Sequence, residues 1–164
     1  MAIRPRTALA IFVALAALHT YPLSVAPWRE SLNYNADAEQ AAWTVSWIAH
    51  TLPNAPSRLF DGNIFAPERA TVAYSDPLVV PSLLAAPVRW LGGSAVLAFN
   101  VVLLSGLVLT AWSGWFVAWR WSSDPAAALV AGALTVFNPH VLSRLPHAMA
   151  AHLWGVPLSI YFAD

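Results

Sequence analysis

The chain has 164 residues, of which 59% are hydrophobic and only 10% are charged, and its formal net charge is zero. An average soluble domain carries about 25% charged residues, so this composition argues against that class and predicts a chain largely surrounded by lipid. There is no Cys, which excludes disulfides, thiolate catalysis and Cys-based zinc sites, and no basic run suggests a nucleic-acid partner.

The first apolar run covers residues 7–26 and follows two arginines, Arg4 and Arg6. About 20 residues suffice to cross a bilayer as a helix, and the arginines place the N-terminus in the cytoplasm. A signal peptide has the same general pattern. A retained helix is favoured, because residues 24–26 make a poor cleavage site and Pro27 follows directly.

The polar segment 27–77 is predicted to lie outside the membrane core, on the extracytoplasmic face. Within it, residues 38–52 are predicted to form a helix in which Trp43, Trp47 and His50 share one face. This pattern favours a helix that lies on the membrane surface with both tryptophans in the interface.

The remainder of the chain alternates short and long apolar segments. The expected elements are a re-entrant or interfacial helix at 78–91, a second span at 94–119, a third at 126–139, an outer loop at 140–152 and the start of a fourth span at 153–164. Four tryptophans near the end of the second span predict an interfacial belt: Trp112, Trp115, Trp119 and Trp121. The predicted fold is an all-α polytopic membrane protein with about four transmembrane helices. The last one stops short at Asp164, so we expect the chain to be the N-terminal part of a longer protein.

Three acids stand where a helix is predicted to begin, and each is a candidate N-cap. Asp37 precedes a helix in which Gln40 can complete a capping box, while Asp76 and Asp124 each precede a proline. A tight turn is predicted around Gly62, with the glycine free to take a positive φ.

Some of these polar residues could also carry chemistry. Asp37 could act as a general base or metal ligand. Asp37, Glu68 and Asp76 all fall in the one outer loop, and three carboxylates there could bind a divalent cation such as Mg²⁺ or Mn²⁺, although nothing in their spacing demands it. Arg144 and His147 are predicted on the same side of the membrane, and Arg is a natural partner for phosphate.

Several sequence blocks together resemble the first outer loop, and a later outer turn, of bacterial multi-spanning glycosyltransferases of the GT-C type. The blocks are Asp37 with Trp43, Trp47 and His50; LFDGNIFAPE at 59–68; AYSD at 73–76; and FNP at 137–139 with Arg144 and His147. The resemblance covers nearly the whole chain, and residues 61–76 are its most specific part.

The resemblance implies an inverting enzyme that transfers a sugar from a polyprenyl-phosphate carrier on the outer face of the bacterial plasma membrane. By position, Asp37 matches the catalytic acid, and the second acidic position falls at Glu68 or Asp76. Arg69, Arg144 and His147 are then the candidates for binding the lipid phosphate or the substrate. Many members have His directly after the second acid, where this chain has Pro77 after Asp76.

Two functions follow from the sequence. The favoured one is a membrane glycosyltransferase of the cell envelope, with a lipid-linked sugar donor and membrane lipids as partners, whose site later helices would complete, so that this chain by itself is expected to be inactive. The alternative is a non-enzymatic polytopic protein, either a transporter piece or an envelope-assembly partner, whose outer loop binds a lipid headgroup or a protein. A transporter should carry ionisable residues near the middle of its spans, and apart from His19 the predicted spans hold none.

Overall fold

The structure is a computed structural model that describes residues 4–31, 36–145 and 147–164. Within these ranges the protein is all-helical, as predicted. The helices are α1 (Pro5–His19), α2 (Ala36–Asn54), α3 (Val79–Trp90), α4 (Ala95–Ser122), α5 (Pro125–Val136), α6 (Pro139–Leu142), α7 (Ala148–Ala151) and α8 (Gly155–Ala163).

Helix α4 is the centre of the fold. It begins where the Ser94 side chain accepts a hydrogen bond from the Leu97 amide at 3.1 Å, and its 28 residues extend about 42 Å. Helices α1, α2, α3, α5, α7 and α8 all contact it. The other elements are therefore arranged around one long apolar helix.

Two segments, Ala95–Ser122 and Pro125–Leu142, are long and apolar enough to cross a membrane, judged by length and composition. The predicted first span at 7–26 is shorter in the structure. Helix α1 ends at His19, after 15 residues, and a turn and a short 3₁₀ segment at Leu23–Val25 follow. The Thr20 hydroxyl donates to the Ala16 carbonyl at the end of α1, and Pro22 has no amide hydrogen with which to continue the helix.

Helix α5 begins at a capping side chain. Asp124 accepts hydrogen bonds from the amides of Ala126 and Ala127 at 2.8 and 3.1 Å, which confirms the predicted cap of α5.

Helices α1, α4 and α5 pack closely because small residues lie where they meet. A Cβ atom added to Gly132 would lie 2.6 Å from the Ala111 carbonyl oxygen and 2.7 Å from the Phe12 ring. Such close backbone approach is typical of small residues between membrane helices.

The predicted tryptophan belt on α4 is wrong for Trp115. Trp115 is completely buried in the α1–α4–α5 core and stacks on Trp119 with ring centroids 5.3 Å apart. Trp112 stacks on Phe116 in the same way, at 5.6 Å. Of the four, Trp121 is the one that is largely exposed, at 55%. Most of these rings therefore fill helix–helix contacts.

Helix α2 does not simply rest on a surface, as the sequence suggested. Val45, Ile48 and Ala49 are fully buried, and the helix packs against α3 and α4. Trp43 and Trp47 do share a face and stack with centroids 6.2 Å apart. Other parts of the protein therefore contact that face, which was expected to lie in the membrane interface.

The segment 55–74 folds back over the two tryptophans. The Trp43 indole N–H donates to the Asn63 side-chain oxygen at 3.1 Å, and that of Trp47 donates to the Leu59 carbonyl at 3.0 Å. The predicted tight turn is present, since the Gly62 amide donates to the Phe60 carbonyl at 3.0 Å, but the φ of Gly62 is not positive. Glycine fits there because a Cβ would lie 2.8 Å from both the Trp43 ring and the Thr71 hydroxyl oxygen.

The segment predicted as an outer loop, 140–152, reaches deep into the bundle. Helix α7 ends at Ala151, α8 begins at Gly155, and the break between them is bound to α4. The buried Thr110 hydroxyl donates to the Ala151 carbonyl at 2.7 Å and accepts from the Leu153 amide at 3.0 Å. Farther along, the Arg120 side chain donates to the Tyr161 hydroxyl at 3.1 Å, so α8 follows α4 toward its C-terminal end.

His152 lies in this break, packed against Gly106 of α4. The Trp154 indole N–H donates to its Nδ1 at 3.3 Å, so its Nε2–H donates to the Val102 carbonyl at 2.8 Å. This pattern fixes an uncharged imidazole. Burial lowers the pKa of His152 below its ordinary value of 6.5 and outweighs the hydrogen bond to Val102, which acts in the opposite direction.

Stability should therefore fall in acid through His152. Because its folded-state pKa is depressed, the unfolded chain takes up this proton first. The contribution is fully present above pH 6.5 and is lost as the pH falls below it, with a slope of at most about 1.4 kcal/mol per pH unit. Thermal unfolding in detergent micelles, compared at each pH with His152→Gln, isolates this term from other titrations. Parallel curves for the two proteins between pH 7 and 5 would contradict it.

Candidate functional site

Neither Asp37 nor Asp76 is a helix cap, which corrects both predictions. Helix α2 begins at Ala36, so Asp37 lies within its first turn. Helix α3 begins at Val79, and its N-cap is Leu78, in a left-handed conformation with φ of 47° and no side-chain cap hydrogen bond. Asp37 is favourably placed at the positive end of the α2 dipole.

Both acids line one cavity of about 220 Å³, which we call the Asp37 cavity. It lies between the first turn of α2, the segment before α3 and the start of α7. Its lining residues are Asp37, Gln40, Ala41, Thr44, Ser75, Asp76, Leu78, His147, Ala148 and Met149.

The floor of the Asp37 cavity belongs to a buried apolar cluster that joins four helices. Ala38 of α2, Phe99 of α4 and Ala148 of α7 are members, as is Leu78 just before α3. Because Leu78 and Ala148 both line the cavity and belong to this cluster, packing fixes the relative position of the cavity walls. The site is near the N-terminal end of α4, the longest apolar helix.

The sharpest feature of the cavity is a contact between Asp37 and His147. The His147 Nδ1 atom lies 3.2 Å from Asp37 Oδ2, with the two side chains 44% and 61% exposed, respectively. An ion pair or hydrogen bond this exposed contributes little to stability. Its significance is geometric, because it brings together two groups that are 110 positions apart in the chain.

His147 is held in place by its own backbone and its neighbours. Its amide donates to the Arg144 carbonyl at 2.8 Å, and its carbonyl accepts from the Ala150 amide at 3.0 Å. On either side, Leu145 and Ala148 are buried in the two apolar clusters. The imidazole is thus carried on an anchored turn at the start of α7.

The predicted meeting of three carboxylates is wrong in part. Asp37 and Asp76 share the cavity, whereas Glu68 and Arg69 line a separate open depression of about 720 Å³, together with Arg58 and Asp61. In that depression the Arg58 Nε atom lies 3.7 Å from Asp61 Oδ2. Across the described ranges, no group of three or more His, Asp or Glu side chains is placed to hold a metal ion.

The charge of the Asp37 cavity is negative. Two carboxylates line it, and among the described residues that form its wall there is no arginine. Arg144 is exposed and approaches the site through its backbone bond to His147. The predicted residues therefore separate into an acid–histidine cavity and arginines outside it.

Sequence reasoning missed the side chains that complete the cavity. Gln40, Ala41 and Thr44 follow Asp37 at helical spacing and line the same wall. That periodicity was visible in the sequence once Asp37 was chosen. The pairing with His147 was not visible, because it depends on how α2 and α7 both pack against α4. Residues Asn33 to Asn35, which the polar stretch before Asp37 includes, lie outside the described residues.

Comparisons of the chain with protein-family models, with curated proteins and with solved structures found no match.

Proposed function

We propose that this chain functions in a membrane glycosyltransferase that moves a sugar from a polyprenyl-phosphate carrier to a hydroxyl acceptor. The observation that carries the proposal is the Asp37–His147 contact in a cavity at the N-terminal end of α4. Sugar transfer needs a base for the acceptor hydroxyl and stabilisation of the leaving phosphate. The sequence resemblance, which marks the same Asp37, supports this reaction class.

The proposal places the phosphate outside the acidic cavity. Two carboxylates would repel it there, whereas Arg144 is exposed on the turn that leads into His147, and Arg69 is exposed in the separate depression beside Glu68. The acceptor hydroxyl then enters the cavity and the lipid phosphate stays at its rim. A divalent cation remains a candidate cofactor for the phosphate, with ligands supplied in part by the donor.

The proposed topology has about four spans, with the N-terminus cytoplasmic and the Asp37 cavity on the extracytoplasmic face of a bacterial plasma membrane. Because the chain has no Cys, single cysteines report it cleanly. Glu68→Cys lies in the exposed loop before α3, and Ser122→Cys is exposed at the other end of α4. In intact cells, a membrane-impermeant maleimide should label the first and should reach the second only after permeabilisation. The reverse pattern would invert the proposed topology.

A transporter piece is the second candidate, and one observation favours it. His152 packs against Gly106 within the long apolar helix α4, and Thr110 binds the backbone where the chain breaks between α7 and α8. Broken helices and polar groups within the bundle are common in transporters. The sequence predicted His152 in an outer loop, whereas its imidazole lies against Gly106 and Val102 of α4, so an ionisable side chain does lie within the bundle.

An assay of sugar transfer separates the two candidates. The full-length protein is reconstituted in vesicles with a panel of polyprenyl-phosphate-linked sugars and a mixture of envelope glycans as acceptors. The enzyme should release polyprenyl phosphate in a protein-dependent way, and failure with every donor would contradict the proposal. Uptake of a soluble sugar or ion without release of the carrier would instead support the transporter.

A further inference from the structure

We propose that His147, rather than Asp37, takes the proton from the acceptor hydroxyl, and that Asp37 is the residue that positions it. The inference rests on the proposed function, because it assigns the roles within that reaction. It begins from a single geometric fact, the 3.2 Å contact between His147 Nδ1 and Asp37 Oδ2.

That contact selects one form of the imidazole. An ionised carboxylate is purely an acceptor, so the Nδ1 atom that faces it carries the hydrogen. In the neutral ring the lone pair is then on Nε2, which becomes the basic atom. The carboxylate also stabilises the imidazolium that forms when Nε2 takes up a proton, as in other carboxylate–histidine pairs.

The surroundings agree with this division of roles. His147 lines the cavity and is 44% exposed, so an acceptor can reach it. The titratable groups that share the cavity with it are Asp37 from α2 and Asp76 from the segment before α3. Of these two carboxylates, Asp37 is the one in direct contact with the imidazole. By contrast, a proton taken by Asp37 would remove the charge that holds the imidazole.

The step balances without a further reactant. The acceptor oxygen forms a bond to the anomeric carbon, and its proton passes to His147 Nε2. The bond between the anomeric carbon and the phosphate oxygen breaks, and its electron pair leaves with the polyprenyl phosphate. His147 then returns the proton to water or to the leaving phosphate.

The first test reads the imidazole directly and needs no substrate. In ¹⁵N-histidine-labelled protein in nanodiscs, the His147 resonances are assigned by their loss in His147→Gln. At alkaline pH the neutral ring should carry hydrogen on Nδ1 and none on Nε2, and Asp37→Ala should shift it toward the Nε2–H form. Glu39→Ala is the matched control, because Glu39 is exposed in the same first turn of α2 and should leave the ring unchanged. An Nε2–H ring in the unaltered protein, or an Nδ1–H ring that survives Asp37→Ala, would overturn the pairing.

The second test uses transfer by the full-length protein. His147→Gln should lower the rate about 10²–10⁴-fold, and added imidazole should restore part of the rate in His147→Ala. A wild-type rate in His147→Gln, with Asp37→Asn inactive, would overturn the inference and leave the proposed function standing. If the unaltered protein transfers sugar from no donor, the proposed function is overturned, and so is the role of His147 as base. The ¹⁵N resonances would still decide whether Asp37 and His147 are paired.

Discussion

Asp37→Asn in the full-length protein is expected to lower sugar transfer about 10²–10⁴-fold while expression and folding persist. Asparagine has nearly the same shape, but it lacks the charge that orients His147 and stabilises its protonated form. When an amide replaces the carboxylate, His147 no longer keeps its hydrogen on Nδ1, and the rate falls. The measurement is release of polyprenyl phosphate from reconstituted vesicles at equal protein amounts.

Folding is expected to persist in Asp37→Asn. Because α2 begins at Ala36, Asp37 is not its cap, and the exposed contact with His147 contributes little to stability. Glu39→Gln removes a carboxylate from the same first turn and should leave transfer unchanged. Equal rates in Asp37→Asn and Glu39→Gln would mean that Asp37 has no part in the chemistry.

Gly132→Ala is expected to destabilise the bundle by about 1–3 kcal/mol, the usual cost of overpacking a close contact. The new methyl would meet the Ala111 carbonyl oxygen at 2.6 Å and the Trp115 Cβ at 2.8 Å. These are a backbone atom and the first atom of a buried side chain, so the helices themselves must move apart. The intrinsic helical gain of alanine over glycine, about 1 kcal/mol, opposes but does not cancel this effect.

Gly155→Ala is the matched control, because a Cβ added there meets no atom within 4 Å. Both variants are unfolded in the same micelles and followed by tryptophan fluorescence. Because both variants replace glycine with alanine, the difference between their free energies of unfolding reports the steric clash at Gly132. If Gly132→Ala is as stable as Gly155→Ala, the close contact of α4 with α5 is not as described.

Helices could be predicted where the sequence marks them with a long apolar run or with a proline or capping residue near one end. The second span, predicted at 94–119, is α4 at Ala95–Ser122, and the predicted helix 38–52 is α2 at Ala36–Asn54. Both have a proline or a capping side chain close to one end. The Asp124 cap was also predictable, because the hydrogen bonds that define it reach only two or three residues ahead.

The errors share a physical cause, which is that a sequence pattern indicates a face but not what covers it. Trp43 and Trp47 lie on one face as predicted, but the loop through Asn63 covers them. Glu68 lies in that loop, so its separation from Asp37 follows from contacts made around Gly62. Those contacts join residues 9 to 20 positions apart, beyond the range of helical or turn patterns.

The candidate site was predictable in its parts and not in its arrangement. Asp37, Asp76 and His147 were all named from the sequence, and the structure brings these three to one cavity. The cap assignments failed because both helices begin two residues away from the predicted start, α2 earlier and α3 later, and sequence patterns do not define a helix start that closely.

The break between α7 and α8 has a consequence for the angular position of His147. Thr110 and Val102 hold the chain at residues 151–153, and the single turn of α7 separates that anchor from His147. Each residue of an α-helix turns the chain by about 100° and advances it by about 1.5 Å. Removing one residue from α7 would thus swing His147 around the helix axis, away from Asp37, while shifting its height very little. The number of residues in α7, counted from an anchor within the bundle, sets the direction in which the imidazole faces.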